Sequence, residues 1–313
     1  YKMKKENPEY IENKLTYAGL KKQEEFSWLK EVEAQPLSQV NMDLNKAYKN
    51  TFNSKFGFPK FKSKKYSKKS YRTAVGMKVN GRYFYVSKVG WVKMAEELRF
   101  KGKLMNVTIS QTKSGNYFAT FLVDAENFQQ EPVANNIGLD LGLTHFCITS
   151  AGEKIDNNRF YRSLEQRLIR EQRKLSKRLE VAKKHNRKLD ECRNYQKQKV
   201  KVARIHEKIA NQRTDFLHKL SSRLTDENQI ICIEDLNVKG LVKNHKLAKS
   251  ISDVSWSEFV RQLDYKCAWK GRTLVKVDRF FPSSQLCSSC SHNDGKKELN
   301  IREWVCSNCV TIH

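Results

Sequence analysis

Two carboxylates interrupt or end runs of apolar residues that predict β-strands. Asp140 lies in segment 136–149 with Gly138 and Gly142 on either side, and Glu234 follows the β-branched run of segment 229–238. Uninterrupted apolar runs predict buried strands, and an unpaired carboxylate is costly to bury. We therefore expect the two acids at neighbouring strand ends, where they hold a divalent cation such as Mg²⁺, which prefers oxygen ligands.

Asp140 by itself has a simpler interpretation, a strand-end aspartate that binds the amide of a turn. The metal site is favoured because two predicted strands each supply one acid. We expect the next acid, Asp235, to lie around this site or on the surface rather than on the cation.

Four cysteines near residue 313 have the spacing of a metal site. Two residues separate Cys287 from Cys290 and Cys306 from Cys309, and fifteen residues lie between the pairs. This spacing is typical of two knuckles that hold one tetrahedral Zn²⁺, and four thiolates leave no open position, so the Zn²⁺ would be structural. A disulfide pair is the alternative, which a reducing cytoplasm disfavours.

Positive charge dominates the composition. The 313 residues include 60 Lys and Arg against 34 Asp and Glu, a formal net charge of +26. Such an excess predicts a polyanionic partner, by default nucleic acid. No apolar run approaches the length of a membrane span, so we expect a soluble, cytoplasmic protein with no membrane partner. Because the chain opens on Tyr1 rather than Met, we expect its N-terminal region to be incomplete.

The first third of the chain predicts a helical layer and a basic loop. Apolar residues recur at helical spacing within residues 8–52. Residues 55–72 then place Phe61, Tyr66 and Tyr71 among lysines without an apolar period. This pattern favours a loop that contacts phosphates and stacks on bases, with a solvated charge run as the alternative.

Residues 73–124 alternate between polar and apolar, with turn sequences at Asn80-Gly81 and Ser114-Gly115-Asn116. Such turns between alternating segments predict hairpins. We expect a small antiparallel β-domain that forms a barrel, followed by a linker over residues 125–135.

The remaining elements complete an α/β order. Residues 160–225 have near-heptad apolar seams that predict two long antiparallel helices. The outer faces of these helices are dense in Lys and Arg. This charge favours a surface that follows a nucleic-acid backbone, with a solvated surface as the alternative. Ser255 is expected to cap a further helix that ends at Gly271, and residues 273–277 predict another strand. This is the element order of an RNase H-like fold, in which a final helix brings a third acid.

With the two acids and both cysteine pairs, the run Phe281-Pro-Ser-Ser-Gln-Leu-Cys287 makes the chain resemble TnpB, the transposon-encoded RNA-guided DNA endonucleases. The resemblance covers nearly the whole chain. Other matching segments are residues 48–72, 206–213, 234–240 and 247–256. Compact type V CRISPR effectors look like relatives of the same family.

The resemblance implies a multidomain α/β protein. Residues 1–72 would form a helical recognition layer with the basic loop, and residues 73–134 a β-barrel wedge domain with its linker. Residues 135–286 would form a RuvC-like (RNase H-like) nuclease domain that contains the basic helical hairpin 160–225. A zinc ribbon over residues 287–309 would load target DNA, and residues 310–313 would return to the nuclease domain.

The resemblance also implies a function. A guide RNA from the transposon end would pair with target double-stranded DNA beside a short motif. Asp140 and Glu234 match the first two catalytic acids, and with a third acid they would hold two Mg²⁺ ions for phosphodiester hydrolysis. The location would be the prokaryotic cytoplasm, in association with the nucleoid. The residues expected to contact nucleic acid are Lys65, Lys69, Tyr71 and Arg72.

The sequence departs from the family pattern in three places. The family's Asp-Arg-Asp run with the third acid, and its last helix, would follow His313, so we expect the C-terminal region to be incomplete. The family's opening strand and first helix are not found. Ser291 and Val310 follow the second cysteine of each knuckle, where the family usually has Gly. That difference bears on the ribbon's geometry, because Gly tolerates the left-handed turn that a knuckle often needs.

Three other functions fit less of the sequence. A nuclease-inactive, RNA-guided DNA-binding regulator would explain a missing third acid, but it would have little reason to keep Asp140 and Glu234. Residues 137–142 also resemble the phosphate-binding opening of actin-type and Hsp70-type ATPases, which need later Gly-rich loops that this sequence lacks. A conventional transposase or resolvase fits less well with so much basic helix and wedge outside the nuclease core.

Overall fold

The computed structural model describes residues 17–53, 56–63, 68–74, 76–125, 130–279, 281–282, 285–298, 301 and 303–313. The chain forms two compact units. One comprises Tyr1–Glu126 with Lys199–Arg204, and the other comprises Asn127–Gln198 with Ile205–His313.

The first unit contains the predicted helices in three pieces. They are α1 (Tyr17–Leu20), a 3₁₀ helix (Glu24–Lys30) and α2 (Ala34–Asn53). The prediction of helix is thus confirmed for most of residues 17–52, while residues 8–16 lie outside the described part. The apolar stripe of α2 is not buried: Val40 is 60% exposed and Phe52 is 54% exposed.

Six strands form two three-stranded antiparallel sheets. β2 (Lys78–Asn80), β3 (Tyr83–Val86) and β4 (Gly90–Lys93) make one, and β1 (Lys69–Thr73), β5 (Lys103–Gln111) and β6 (Tyr117–Asp124) make the other, in the order β1-β5-β6. The hairpins predicted at Asn80-Gly81 and at 114–116 are confirmed by the pairing of β2 with β3 and of β5 with β6. The barrel stays a prediction.

The end of the predicted basic loop is a strand. Lys69–Thr73 pairs with β5 from Lys69 opposite Gln111 to Thr73 opposite Val107. The loop prediction over residues 69–72 was wrong because an edge strand is held by backbone hydrogen bonds and needs no alternation of apolar side chains.

The second unit is a mixed α/β arrangement around one five-stranded sheet. Its strands are β7 (Asn136–Leu141), β8 (His145–Thr149), β9 (Lys154–Asp156), β10 (Ile230–Glu234) and β11 (Thr273–Val277), in the order β11-β10-β7-β8-β9. β10 pairs in parallel with both β7 and β11, whereas β7-β8 and β8-β9 are antiparallel. The hairpin predicted around Ser150 is therefore confirmed.

Helices connect these strands. They are α3 (Phe160–Lys184), α4 (Arg193–Glu227), α5 (Val238–Leu241), α6 (Ala248–Val254) and α7 (Trp256–Lys270). The two long helices predicted over residues 160–225 are confirmed. Arg178 donates to the carbonyl of Asn194, and Gln198 donates to the carbonyl of Glu171, 27 residues earlier, so α3 and α4 run antiparallel.

The core of the second unit lies between one face of the sheet and helices α4 and α7. Phe146 of β8 contacts Phe216 and Phe259, with ring centroids 5.1 and 5.0 Å apart and nearly perpendicular planes. Leu139, Ile231 and Ile233 point to this face and are almost fully buried. Because strand side chains alternate, the residues between them point to the opposite face.

A buried carboxylate fixes the start of α3. Both oxygens of Asp253 accept from the backbone N–H of Tyr161 at 3.0 Å, and one also accepts from Arg213 at 2.8 Å. The Asp253 side chain is 8% exposed. Two segments that carry the TnpB resemblance, 206–213 and 247–256, are therefore joined by this ion pair.

The sequence predicted one end of α7 correctly and the other end wrongly. Gly271 ends the helix in the left-handed conformation, with φ 68°, as predicted. Ser255 precedes the first turn, but the prediction that it caps the helix was wrong. Its backbone is left-handed and its hydroxyl donates to the carbonyl of Ser252 instead of accepting from α7.

Within the described ranges, no helix is both long enough and apolar enough to cross a lipid bilayer.

We expect Asp253→Ala to lower the free energy of unfolding by about 2–3 kcal/mol, since buried hydrogen bonds to a charged group are worth roughly that much and Arg213 would lose its partner. Asp253→Asn keeps an acceptor for the N–H of Tyr161 and should lose less. Chemical denaturation measures both.

Asp264→Ala is the matched control, because Asp264 is an exposed acid on the adjacent helix α7. Its effect should stay within about 0.5 kcal/mol. Equal losses in the Asp253 and Asp264 variants would contradict a stabilising role for the hydrogen bonds that Asp253 accepts from Tyr161 and Arg213.

Candidate metal centres and nucleic-acid surfaces

The register of two parallel strands brings the two predicted acids together. Ile233 of β10 pairs with Leu139 of β7, and the next residues along the strands are Glu234 and Asp140. The side chains of both acids project from the sheet face opposite the core, because the side chains of Leu139 and Ile233 point into the core. Adjacent strands lie about 4.8 Å apart, a distance at which two carboxylates can share one cation.

Both acids line one cleft with a volume of about 620 Å³. Gly138 lies beside Asp140 in this cleft, where the absence of a side chain leaves room. Among the described residues, neither Asp140 nor Glu234 forms an ion pair. The sequence prediction that the strand ends deliver two acids to one place is consistent with this geometry.

The electrostatics of the cleft favour a cation. Partial loss of hydration raises the pKa of Asp140 above its usual value. Loss of hydration also raises the pKa of Glu234, and the negative charge of Asp140 raises it further. A divalent cation between the carboxylates would remove this repulsion, and their donor set of oxygens suits Mg²⁺.

The next acid has a different role. Asp235 accepts from the guanidinium of Arg279 at 2.7 Å, and Arg279 also donates to the Asp235 carbonyl at 3.1 Å. This agrees with the expectation that Asp235 lies around the site. Sequence reasoning missed Asp278 and Arg279, which line the cleft after β11; a single acid after a short strand gave no signal.

The single turn of helix α5, which Asn237 caps, lines the cleft beyond Glu234. The Asn237 side chain accepts from the N–H of Gly240 at 3.0 Å. A Cβ on Gly240 would lie 2.7 Å from the Asn237 amide nitrogen. The spacing of Asn and Gly in segment 234–240 is therefore explained by this turn, which borders the cleft.

The four predicted cysteine ligands converge. Their Sγ atoms all lie within 4.8 Å of one another, with Cys287 and Cys309 3.3 Å apart and Cys290 and Cys306 3.6 Å apart. Zn–S bonds of about 2.3 Å in a tetrahedron place sulfurs roughly 3.8 Å apart. The cluster therefore fits a four-thiolate Zn²⁺ site.

Each knuckle has a left-handed turn after its second cysteine, although Ser291 and Val310 stand where the family usually has Gly. Ser291 and Val310 adopt left-handed backbone, with φ 58° and 59°. Their N–H groups donate to the carbonyls of Cys287 and Cys306, both at 2.9 Å. The geometry is thus kept without Gly, at a cost in strain that is greatest for β-branched Val310.

The predicted nucleic-acid contacts do not share one environment. Lys65 lies outside the described residues. Lys69 and Tyr71 are exposed and two residues apart on β1, so they share one face. Arg72 points to the other face and pairs with Asp43 of α2 at 2.9 Å, an interaction that occupies its guanidinium within the protein.

A basic stripe runs along α3. It consists of Arg162, Arg170, Arg173 and Lys177, whose spacing places them on one helix face. All four are exposed, and in the described part of the chain none of them forms an ion pair. Three of them line a depression of about 390 Å³. Unpaired cations in a row suit a phosphate backbone.

Comparison with known proteins assigns the family. The family model described as OrfB_IS605, "Probable transposase", matches residues 120–245. The model described as "Cas12f1-like, TNB domain" matches residues 256–313. The two matches together span the strands that bear the acids and the cysteine cluster.

Two relatives match most of the chain. It is 38% identical over 314 residues to a protein of Streptomyces pristinaespiralis, provisionally named an RNA-guided DNA endonuclease, with 97% of this chain and 74% of that protein covered. It is 32% identical over 301 residues to the similarly named InsQ of Escherichia coli K12, with 90% and 71% covered. The chain therefore belongs to the OrfB/TnpB family.

A solved structure is similar at a lower level. The cryo-EM structure of the Cas12f1–sgRNA–target DNA complex matches with a TM-score of 0.43 and 13% identity, over 83% of this chain and 64% of that one. This similarity is too low to bear on the site.

We expect the acid pair to make stability depend on pH. Raised pKa values mean that the folded protein holds these two protons more tightly than the unfolded chain does. Below the ordinary carboxyl pKa both states are protonated and the pair has no effect. As pH rises through the raised values the folded state loses stability, and Asp140→Asn or Glu234→Gln should relieve that loss.

Chemical denaturation between pH 4 and 8, in a chelator that removes divalent cations, measures this effect. The stability gain of each variant over the wild type should grow as pH rises. Glu180→Gln, a change at an exposed acid of α3, should give no such trend. A gain that is constant with pH would contradict the raised pKa values of the two acids.

Val310→Gly should stabilise the zinc-bound ribbon by about 1 kcal/mol, because a left-handed conformation costs an L-residue roughly 1–2 kcal/mol and Gly avoids it. Val310 is 73% exposed, so little packing is lost. Val310→Ala keeps the Cβ and should gain much less. Thermal unfolding in excess Zn²⁺ measures both, and equal midpoints for the Gly and Ala variants would contradict the strain.

Proposed function

We propose that the chain is an RNA-guided DNA endonuclease of a transposable element, which cleaves target DNA beside a short motif. The observation that supports this best is the cleft in which Asp140 and Glu234 meet at the ends of parallel strands. Family membership and the names of the two relatives point to the same activity.

The cleft acids would act as ligands rather than as nucleophiles. When bound, two Mg²⁺ ions would activate a water and stabilise the leaving 3′-oxygen. Asp140 and Glu234 would position the ions, together with the third acid that the TnpB resemblance implies. The Asp235–Arg279 ion pair would fix the edge of the cleft next to Glu234. The Asn237–Gly240 turn would leave room in the cleft for a phosphodiester, because Gly240 has no side chain.

We propose an RNase H-like, RuvC-like assignment for residues 135–286. The sheet order β11-β10-β7-β8-β9, with its parallel centre and antiparallel edge, supports it. Residues 73–134 would form the wedge domain, residues 1–72 the recognition layer, and residues 310–313 the return to the nuclease domain. The four cysteines of residues 287–309 would hold a structural Zn²⁺ that folds a ribbon too short to have its own core.

Guide RNA and target DNA would be the partners, in the prokaryotic cytoplasm at the nucleoid. A charge of +26 supports both. The α3 stripe would follow a phosphate backbone, and its lack of aromatic residues suits backbone contact rather than base stacking. Lys65, Lys69 and Tyr71 remain proposed contacts to nucleic acid, whereas Arg72 would first have to leave Asp43.

The test is guide-directed cleavage by the protein expressed from its native locus with its co-purifying RNA. Asp140→Asn and Glu234→Gln should each reduce Mg²⁺-dependent cleavage of matched DNA by more than the 10–100-fold typical for loss of an outer-shell metal partner. Guide-dependent DNA binding should remain. Glu180→Gln should cleave as the wild type does.

Two outcomes would overturn the proposal. Cleavage that survives loss of either acid would place the chemistry elsewhere. Guide-dependent binding by the wild type with no cleavage under any divalent cation would identify a regulator built on a nuclease fold.

A further inference from the structure

The imidazole of His313 lies against the cluster of four cysteines and contacts one of its sulfurs. Its Nε2 is 3.2 Å from Sγ of Cys287, and its Nδ1 is 3.4 Å from the hydroxyl of Ser288. If the hydroxyl donates to Nδ1, the ring proton resides on Nε2 and points at the sulfur. A zinc-bound thiolate can only accept, so with Zn²⁺ in place both contacts fit this one tautomer, in which His313 donates to Cys287.

The ring is held in this position from its other side. Trp304 and His313 exchange two backbone hydrogen bonds, of 2.9 and 2.8 Å. Their ring centroids lie 4.6 Å apart with planes inclined by 30°, and the ammonium of Lys297 lies 4.4 Å from the Trp304 ring centroid. The orientation of His313 is thus set by the ribbon itself, so little entropy is lost when it donates.

The sulfur that His313 faces has few other donors. Four thiolates on one Zn²⁺ give the site a net charge of −2, which donors around the sulfurs must stabilise. Cys287 is 2% exposed, so water has little access to it. Its other donor in the described part of the ribbon is the N–H of Cys290, at a long 3.5 Å. Cys309, by contrast, has the hydroxyl of Thr311 at 3.1 Å.

We propose that His313 is a positioning residue for the Zn²⁺ site: it donates Nε2–H to the Cys287 thiolate and thereby strengthens zinc binding. The inference rests on the Zn²⁺ site proposed above. The stack of Lys297, Trp304 and His313 would then orient one hydrogen bond toward Sγ of Cys287, the buried cysteine of the first knuckle.

Two substitutions separate the hydrogen bond from the packing. His313→Phe keeps a ring to stack on Trp304 but has no donor. His313→Gln loses the ring but keeps an N–H donor of similar reach. His292→Phe is the matched control, because the His292 side chain is 44% exposed and His292 contacts the first knuckle through its backbone, which accepts from the N–H of Cys287 and bonds to the Cys290 sulfur. The substitution keeps both backbone contacts.

The measurement is zinc affinity of the whole protein by competition with a colorimetric chelator, together with the thiolate-to-metal absorption band after Co²⁺ substitution. His313→Phe should weaken zinc binding about 10–100-fold, the usual cost of an outer-shell partner, and should shift the Co²⁺ band. His313→Gln should recover most of the affinity, and His292→Phe should match the wild type.

The outcomes separate this inference from the proposed site. Weak Zn²⁺ binding by the wild type would contradict the proposed zinc site itself. A wild type that binds tightly, with His313→Phe equal to His292→Phe, would overturn the role of His313 alone. A weak Gln variant beside a normal Phe variant would show that the ring packs and does not donate.

Discussion

Parallel pairing of β10 with β7 is the interaction on which the candidate nuclease site depends. Side-chain direction alternates along a strand, so a slip of one residue would turn Glu234 into the core and replace it with an isoleucine. The register is held because Leu139, Ile231 and Ile233 fill the core face and would be exposed by that slip. Hydrophobic burial on one face of the sheet thus positions two acids on the other, where they are kept close despite their repulsion.

The cysteine cluster is organised by local geometry rather than by a core. Each knuckle closes through the same pair of backbone hydrogen bonds and a left-handed residue after its second cysteine. The residues available there, Ser291 and Val310, are not suited to that conformation, so a Zn²⁺ ion held by the four cysteines would have to offset the strain. The proposed Zn²⁺ would then matter more to the folding of residues 287–309 than it would with glycine at both positions.

Much of this arrangement could be predicted because its signals are local. Apolar alternation located the strands, turn sequences located the hairpins, and cysteine spacing located the cluster. Contacts between distant segments gave no such signal: the Arg213–Asp253 pair joins residues 40 positions apart, and Arg72 pairs with an acid of α2. Strand β1 was missed because its pairing with β5 is made by the backbone and its side chains show no apolar alternation. Ser255 was misassigned because capping depends on backbone angles that residue type does not determine. His313 was missed because a single histidine has no spacing to interpret.

The central claim is that Asp140 and Glu234 share a divalent cation, and anomalous diffraction from crystals soaked in Mn²⁺ tests it most directly. Mn²⁺ accepts the same oxygen ligands as Mg²⁺ and can be located by its own absorption edge. The account predicts an anomalous peak within about 2–2.5 Å of a carboxylate oxygen of each residue. Saturating Mn²⁺ with no peak between them, or with a peak only beside Asp235 or Asp278, would contradict it.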